Sequence, residues 1–330
     1  MNLSPFFLTF PGMYLVQSVF HSLIAAIVVE SAISAWEITD PILRQRFRFA
    51  VILFPIFSYP LYQAVNPERG SMLFRLEAFL DTNRWLYLEL WGGIPFYYLF
   101  LAALAGTAAV FFFQELMPIV RHSFRSQQTE TSSRQVEPGA VLSEAMAALP
   151  GEKPPFFCVE DDEILLYSST GNNGAIFVST GLIDTLDRDQ LVAALAHELA
   201  HIRRSKRPSL LIIFMLRMLM FYNPVVLVEF RKIVHGEEKI CDDMAVSFTG
   251  KPRVLAETLK QLFHRTEEMK PFHTEKLVNL RSAVEEYSHN MHIEGRIERL
   301  ERGEAQQTAS PRIKYGITLA VMVMITYFVV

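Results

Sequence analysis

Charge is almost absent from four stretches of the chain: Met13–Trp36, Phe49–Val65, Ile94–Phe113 and Ile313–Val330. His21 and Glu30 interrupt the first, Pro55 and Pro60 the second, and Lys314 is the one charge in the fourth. Roughly 20 apolar helical residues cross the hydrocarbon of a bilayer. The pattern therefore predicts spanning helices at about 13–36, 49–65, 94–113 and 313–330. A fifth apolar stretch, Ser209–Phe230, is broken by Asn223-Pro224 and holds Arg217. It predicts two helical pieces that dip into a membrane or pack on other helices, with Arg217 facing protein or water rather than lipid; a buried helix of a soluble domain is the alternative.

Between these stretches the pattern changes. Residues 123–140 are rich in Ser, Thr, Gln and charge and read as a flexible linker. Val141–Leu149 has helical spacing, and Phe156–Glu160, Ile164–Tyr167 and Ala175–Ser179 read as short strands, with a turn at residues 171–174. Ala175–Ser179 is the candidate edge strand for holding an extended peptide by main-chain hydrogen bonds, unless the hairpin is purely structural. Asp187, Asp189 and Gln190 suit the start of a helix that runs through Leu191–Ala196 without Gly or Pro. The expected organisation is a membrane region 1–113, a linker 114–140, a catalytic domain 141–312 that includes 209–230, and a last membrane helix 313–330.

Composition fits a membrane protein. Half of the residues (51%) are hydrophobic, 26 are Phe, and the mean hydropathy is +0.21, too apolar for an ordinary soluble enzyme. The net charge of −4 carries no signal for nucleic acid. The two cysteines, Cys158 and Cys241, do not suggest a disulfide in a cytosolic region. Arg44, Arg46 and Arg48 follow the first helix and no basic residue precedes it, so the N-terminus is expected outside. The 66–93 loop is then external, and 114–312 is cytosolic with Arg121, Arg125, Arg203, Arg204, Lys206 and Arg207. No basic segment of a cleavable signal peptide is evident.

The chemistry is concentrated in His197-Glu198-Leu199-Ala200-His201. On a helix the two histidines stand one turn apart on one face, where both reach one zinc ion, and Glu198 lies beside them to take a proton from attacking water. A third ligand is expected in the acidic run Glu237–Asp243. Glu238 is the best candidate, and Asp242, one turn on, is placed to accept a hydrogen bond from the free ring N–H of a ligand histidine. Two histidines and a glutamate suit zinc best, one ion per chain. His201 and Glu238 must then lie on one side of the membrane, which excludes a simple single crossing by 209–230. The donor for an oxyanion stays open among Arg231, His235, His264, His273, His289 and His292; Arg231, two turns before Glu238 on a helix, lies roughly on its face. His21 and Glu30 are expected to be buried between helices.

The segments 179–204, 221–246 and 294–303 resemble the BlaR/MecR-type family of bacterial membrane metallopeptidases, the specific part being Asn223-Pro224, then Glu238-x-x-Cys241-Asp242. The resemblance covers roughly residues 90–312 well and the N-terminal helices loosely. It implies a multi-pass α-helical membrane protein with a cytosolic α+β gluzincin domain in the bacterial inner membrane, with His197, His201 and Glu238 as ligands and Glu198 as general base. It also implies a protein or peptide substrate, either a transcriptional repressor or the chain itself. Full-length sensors of that family carry an extracellular domain after the last helix; the sequence stops at Val330, so sensing by such a domain is not expected. HtpX-like proteases share the logic without the Glu-x-x-Cys-Asp wording and suggest membrane-protein quality control instead. A catalytically silent membrane scaffold or receptor is a third reading, against which Glu198 speaks. No sequence feature decides for or against a homodimer.

Overall fold

The computed structural model describes residues 4–90, 93–117, 135–136, 139–169, 174–205, 209–268, 293–303 and 311–330. In chain order the first part forms α1 (Phe10–Ala35), α2 (Pro41–Val65), α3 (Met72–Glu77), α4 (Thr82–Leu86), β1 (Glu89–Leu90), β2 (Ile94–Pro95) and α5 (Phe96–Val110), which widens into a π-helical stretch at Phe111–Leu116. Then come β3 (Gln135–Val136), α6 (Ala140–Ala148), β4 (Phe156–Val159), β5 (Leu166–Ser169), β6 (Ala175–Ser179), α7 (Thr180–Thr185) and α8 (Arg188–Ser205). The remainder is α9 (Ser209–Leu219), α10 (Pro224–Thr249), α11 (Pro252–Glu268), α12 (293–302) and α13 (Pro311–Tyr327). These elements form two compact units, one of Met1–Glu130, Ser209–Gly236 and Gln306–Val330, the other of Thr131–Pro208 and Glu237–Ala305.

The first unit is helical and apolar outside. Among the described residues, Phe10–Ala35, Pro41–Val65 and Phe96–Leu116 are long and apolar enough to cross a membrane. Leu23, Ile27, Phe57, Leu61, Phe112 and Phe113 are exposed on them, as a lipid-facing surface requires. α2 starts earlier than the apolar run because Asp40 caps it, accepting from the Ile42 N–H at 2.9 Å, with Pro41 in the first helical position. It also continues through Pro55 and Pro60, which membrane helices tolerate. α13 has 17 residues, about 25 Å of helix. The residues after it are tied down: the Phe79 N–H donates to the Phe328 carbonyl and the Val330 N–H to the Leu80 carbonyl, both at 2.8 Å. Buried Arg69 donates to the Tyr327 carbonyl at 2.9 Å and the Thr326 carbonyl at 3.1 Å.

The apolar stretch 209–230 does form two helical pieces, and both pack within this unit rather than with the strands. Buried Asn223 makes the break. Its side-chain oxygen accepts from the N–H groups of Val225 and Val226 at the start of α10, and its amide donates to Ser22 Oγ at 3.0 Å. Arg217 is fully buried, 3.4 Å from Glu115 and over the Phe111 ring. The two ionisable residues of α1 find separate partners. His21 meets Ser58 Oγ at 2.7 Å, whereas Glu30 joins Arg48, Glu229 and Lys232 in a closed set of ion pairs of 2.7–3.0 Å.

The second unit holds a four-stranded sheet in the order β3-β4-β6-β5. β6 lies inside it, parallel to β4 and antiparallel to β5, so Ala175–Ser179 is not the edge strand its position in a hairpin suggests. Its unbroken apolar run fits a central strand: Ile176 and Val178 are fully buried on one face while Phe177 stacks on Phe157 and Tyr167 on the other. The open edge beside α8 belongs to β5. Of the expected linker 114–140, residues 114–117 continue the helix after α5, Gln135–Val136 pair antiparallel with Cys158–Val159, and Ala140 opens α6; 118–134 and 137–138, and the turn residues 171–173, lie outside the described residues. One core joins the buried faces of α6, the sheet, α7, α8 and α11 through Leu142, Ile176, Leu182, Leu191, Leu195 and Leu255.

Candidate metal centre

The centre lies in the second unit, on α8, on the second half of α10 and on α12. α8 begins with a reciprocal capping box: Asp187 Oδ1 accepts from the Gln190 N–H at 2.8 Å, and Gln190 Oε1 from the Asp187 N–H at 3.1 Å. Leu191, Ala194, Leu195, Leu199 and Ile202 bury the helix on the core and hold its rotation. That rotation presents His197 and His201 together, ring centroids 4.7 Å apart. Glu238 of α10 completes the cluster, and all three ligand atoms lie within 4.8 Å of one another.

The donor set fits a metal ion. The two Nε2 atoms are 3.0 Å apart, and Glu238 stands 3.5 Å from that of His197 and 3.6 Å from that of His201. Ligands about 2.0–2.1 Å from a tetrahedral zinc are separated by about 3.3–3.4 Å, so these three edges frame such an ion. Two imidazole lone pairs facing each other at 3.0 Å need a cation or a proton between them. Glu198 is half-buried on the same helix, and its charge is felt at His201.

Around this cluster the polar groups are tightly fixed. Asp242 is fully buried, with Oδ1 3.2 Å from His197 Nδ1. Arg296 of α12 grips both Asp242 oxygens at 2.8 Å and reaches Glu238 at 3.1 Å. One turn on, Arg299 pairs with Asp243 at 2.6 Å and donates to the Lys239 carbonyl at 2.9 Å. Arg204 on α8 and Glu237 on α10 form a buried two-pronged ion pair of 2.6 and 2.7 Å, which ties the histidine helix to the glutamate helix one residue before Glu238. Arg296 was invisible to spacing arguments, since it stands 54 residues from Asp242. The one cue was its segment, 294–303, which shares the family-like wording.

Electrostatics follow from this packing. Burial alone disfavours the His197 imidazolium, but Asp242 and Glu238 outweigh it, and the pKa is raised to about 9. Burial opposes ionisation of Asp242, but His197 and Arg296 hold its carboxyl well below the usual range. Glu238 is lowered as well, burial being overcome by His197 and Arg296. Burial and the neighbouring His197 lower His201. Burial, with Glu238 and Glu237, pushes the Cys241 thiol up to about 12. A thiol held neutral is a poor ligand; its sulfur instead lies 3.5 Å from His201 Nδ1.

The structure thus brings together His197, His201, Glu238 and Asp242, with Glu198 on the same helix as the histidines. Arg231 and His235 belong to the first unit, where Arg231 donates to Gln114 at 2.8 Å. His273, His289 and His292, and the side chain of His264, lie outside the described residues.

Residues 127–271 match the model of Peptidase family M48. The matched segment carries His197, Glu198, His201, Glu238 and Asp242 and ends before Arg296. The match supports a metallopeptidase of the M48 family, a family of metal-dependent and typically zinc-dependent enzymes, without selecting a BlaR/MecR-type or an HtpX-like branch. No curated protein matches the sequence.

Proposed function

We propose that this protein is a membrane-embedded, zinc-dependent endopeptidase of the gluzincin type. The carrying observation is the convergence of His197, His201 and Glu238 within 4.8 Å of one another. In this reading those three residues hold the metal, and a zinc ion in their grasp supplies Lewis acidity toward a peptide carbonyl and toward water. Glu198 takes the proton of the attacking water and returns it to the leaving amine. Asp242 fixes the ring orientation of His197 through Nδ1. Arg296 holds Asp242 and Glu238 in place and offsets the negative charge that the buried Asp242 and the partly exposed Glu238 would otherwise accumulate.

The substrate is an extended protein segment added to the open edge of β5. The ladder tells which groups are available there. The Ser179 N–H donates to the Leu165 carbonyl at 3.0 Å, so hydrogen bonding to β6 alternates from that pair onward and Leu166 and Ser168 turn their main-chain groups outward. We place the protein in the bacterial inner membrane with the N-terminus outside and the peptidase unit in the cytosol, following the arginines after α1. Regulated signalling, by cleavage of a repressor or of the chain itself, is the role the BlaR/MecR-type resemblance favours.

The test compares protein N-termini in membranes expressing the wild type and Glu198→Gln. New termini that vanish with Glu198→Gln establish proteolysis and name the substrate. One discrete site supports signalling, many scattered sites support quality control, and identical termini in both membranes would overturn the peptidase reading.

A further inference from the structure

Within the first unit, a cavity of about 570 Å³ opens among α2, α9 and α13. Its walls are Leu43, Phe49, Ile212, Ile213 and Tyr315, with Gln45, Arg46 and Arg312 beside them. The volume lies in the range of small-molecule sites, roughly 300–1,000 Å³. Leu43–Phe49 are the first turns of α2 and Arg312–Tyr315 the first turn of α13, so the cavity sits at one end of these helices, where Arg44, Arg46, Arg48, Arg312 and Lys314 cluster.

Most of this basic cluster is already used. Arg44 donates to the Ile38 carbonyl, Arg48 is locked between Glu30 and Glu229, and Lys314 lies over the Trp36 ring. Arg46 and Arg312 differ: both are exposed, both line the cavity, and among the described residues no carboxylate pairs with either or lines the cavity with them. Apart from Gln45 the other walls are largely apolar, and they adjoin exposed apolar side chains at Leu211, Ile212, Met215, Ile313 and Ile317. Two guanidiniums at the mouth of an apolar cleft, continuous with a lipid-facing surface, complement a molecule with an anionic head and hydrocarbon tails.

We propose that this cavity binds one anionic phospholipid, its phosphate held by Arg46 and Arg312 and its acyl chains lying on Phe49, Ile212 and Ile213. The inference is independent of the peptidase chemistry. Two arginine contacts give about a thirtyfold preference over a zwitterionic lipid with the same chains.

Native mass spectrometry of the full-length protein in detergent tests it with three probes: phosphatidylglycerol, phosphatidylcholine with identical chains, and inorganic phosphate. Expected is one phosphatidylglycerol per chain, retained about thirtyfold more tightly than phosphatidylcholine and not displaced by millimolar phosphate. Arg46→Gln with Arg312→Gln should bring phosphatidylglycerol to the level of phosphatidylcholine, while the paired Lys substitutions keep a preference. The wild-type comparison needs no variant and so does not depend on the variants folding. Equal retention of the two lipids, a preference unchanged in a folded Gln variant, or displacement by phosphate at comparable concentration overturns the proposal. A lipid-free dimer that covers the cavity overturns it as well.

Discussion

In the proposed mechanism, chemistry separates from metal binding at Glu198. Glu198→Gln should retain zinc, measured by metal analysis, yet lose peptide hydrolysis by roughly 10²–10⁴-fold, because a proton acceptor is gone while all three ligands remain. Arg296→Ala is expected to behave in the opposite way: zinc affinity falls about 10–100-fold, read by competition with a chelating dye, since Asp242 and Glu238 lose their anchor. His197 makes zinc loading pH-dependent. Its pKa of about 9 in the metal-free site is above the ordinary histidine value, so at pH 7 the ring is protonated and the incoming metal must displace that proton. Zinc affinity should therefore rise about tenfold per pH unit between roughly pH 7 and 8.5 and level off as pH passes the raised pKa. The sign for the metal-free fold is the reverse: the imidazolium contact with Asp242 stabilises fully below the unfolded histidine pKa and is lost as pH rises through about 9. Of these residues, the His-Glu-x-x-His spacing and the i,i+4 pair Glu238/Asp242 were legible in the sequence, because helical periodicity is local. Arg296 was not, because nothing local relates it to Asp242.

Between secondary-structure elements, buried ion pairs act as points of coupling. The Arg204–Glu237 pair is buried on both sides and joins α8 to α10 beside the candidate metal ligands. Glu237→Ala removes the carboxylate that both prongs of the buried Arg204 engage, and should lower the thermal midpoint and the zinc affinity together. The edge of β5 allows a sharper test of substrate binding. Proline at Ser168 removes an outward-facing donor without removing a rung of the ladder to β6, so Ser168→Pro should raise KM for an extended peptide while leaving zinc content and the melting midpoint near wild type. The strand was legible in the sequence and its place in the sheet was not. Ala175–Ser179 forms a hairpin with β5, but the parallel partner β4 covers its other side, and that pairing depends on a crossover no local pattern encodes.

For the molecule as a whole, the described helices long enough to cross a bilayer belong to one unit and the candidate metal ligands to the other. The expected topology can be checked by cysteine labelling. In intact cells Glu68→Cys should react with a membrane-impermeant maleimide, whereas Glu301→Cys should react only after permeabilisation; the native Cys158 and Cys241 are buried and stay silent. Labelling of both sites from outside would refute a cytosolic peptidase unit.

Hydrophobic periodicity and the metal motif were enough to establish a helical membrane region, a break at Asn223-Pro224 and a candidate ligand set, because each is encoded within one or two helical turns. Tertiary structure alone decided that 209–236 packs with the membrane helices, that β5 and not β6 is the open edge, and that Arg296 grips Asp242 and Glu238. Those are long-range pairings, selected by which buried charges and unpaired main-chain groups can be satisfied together, and no short window of sequence contains both partners.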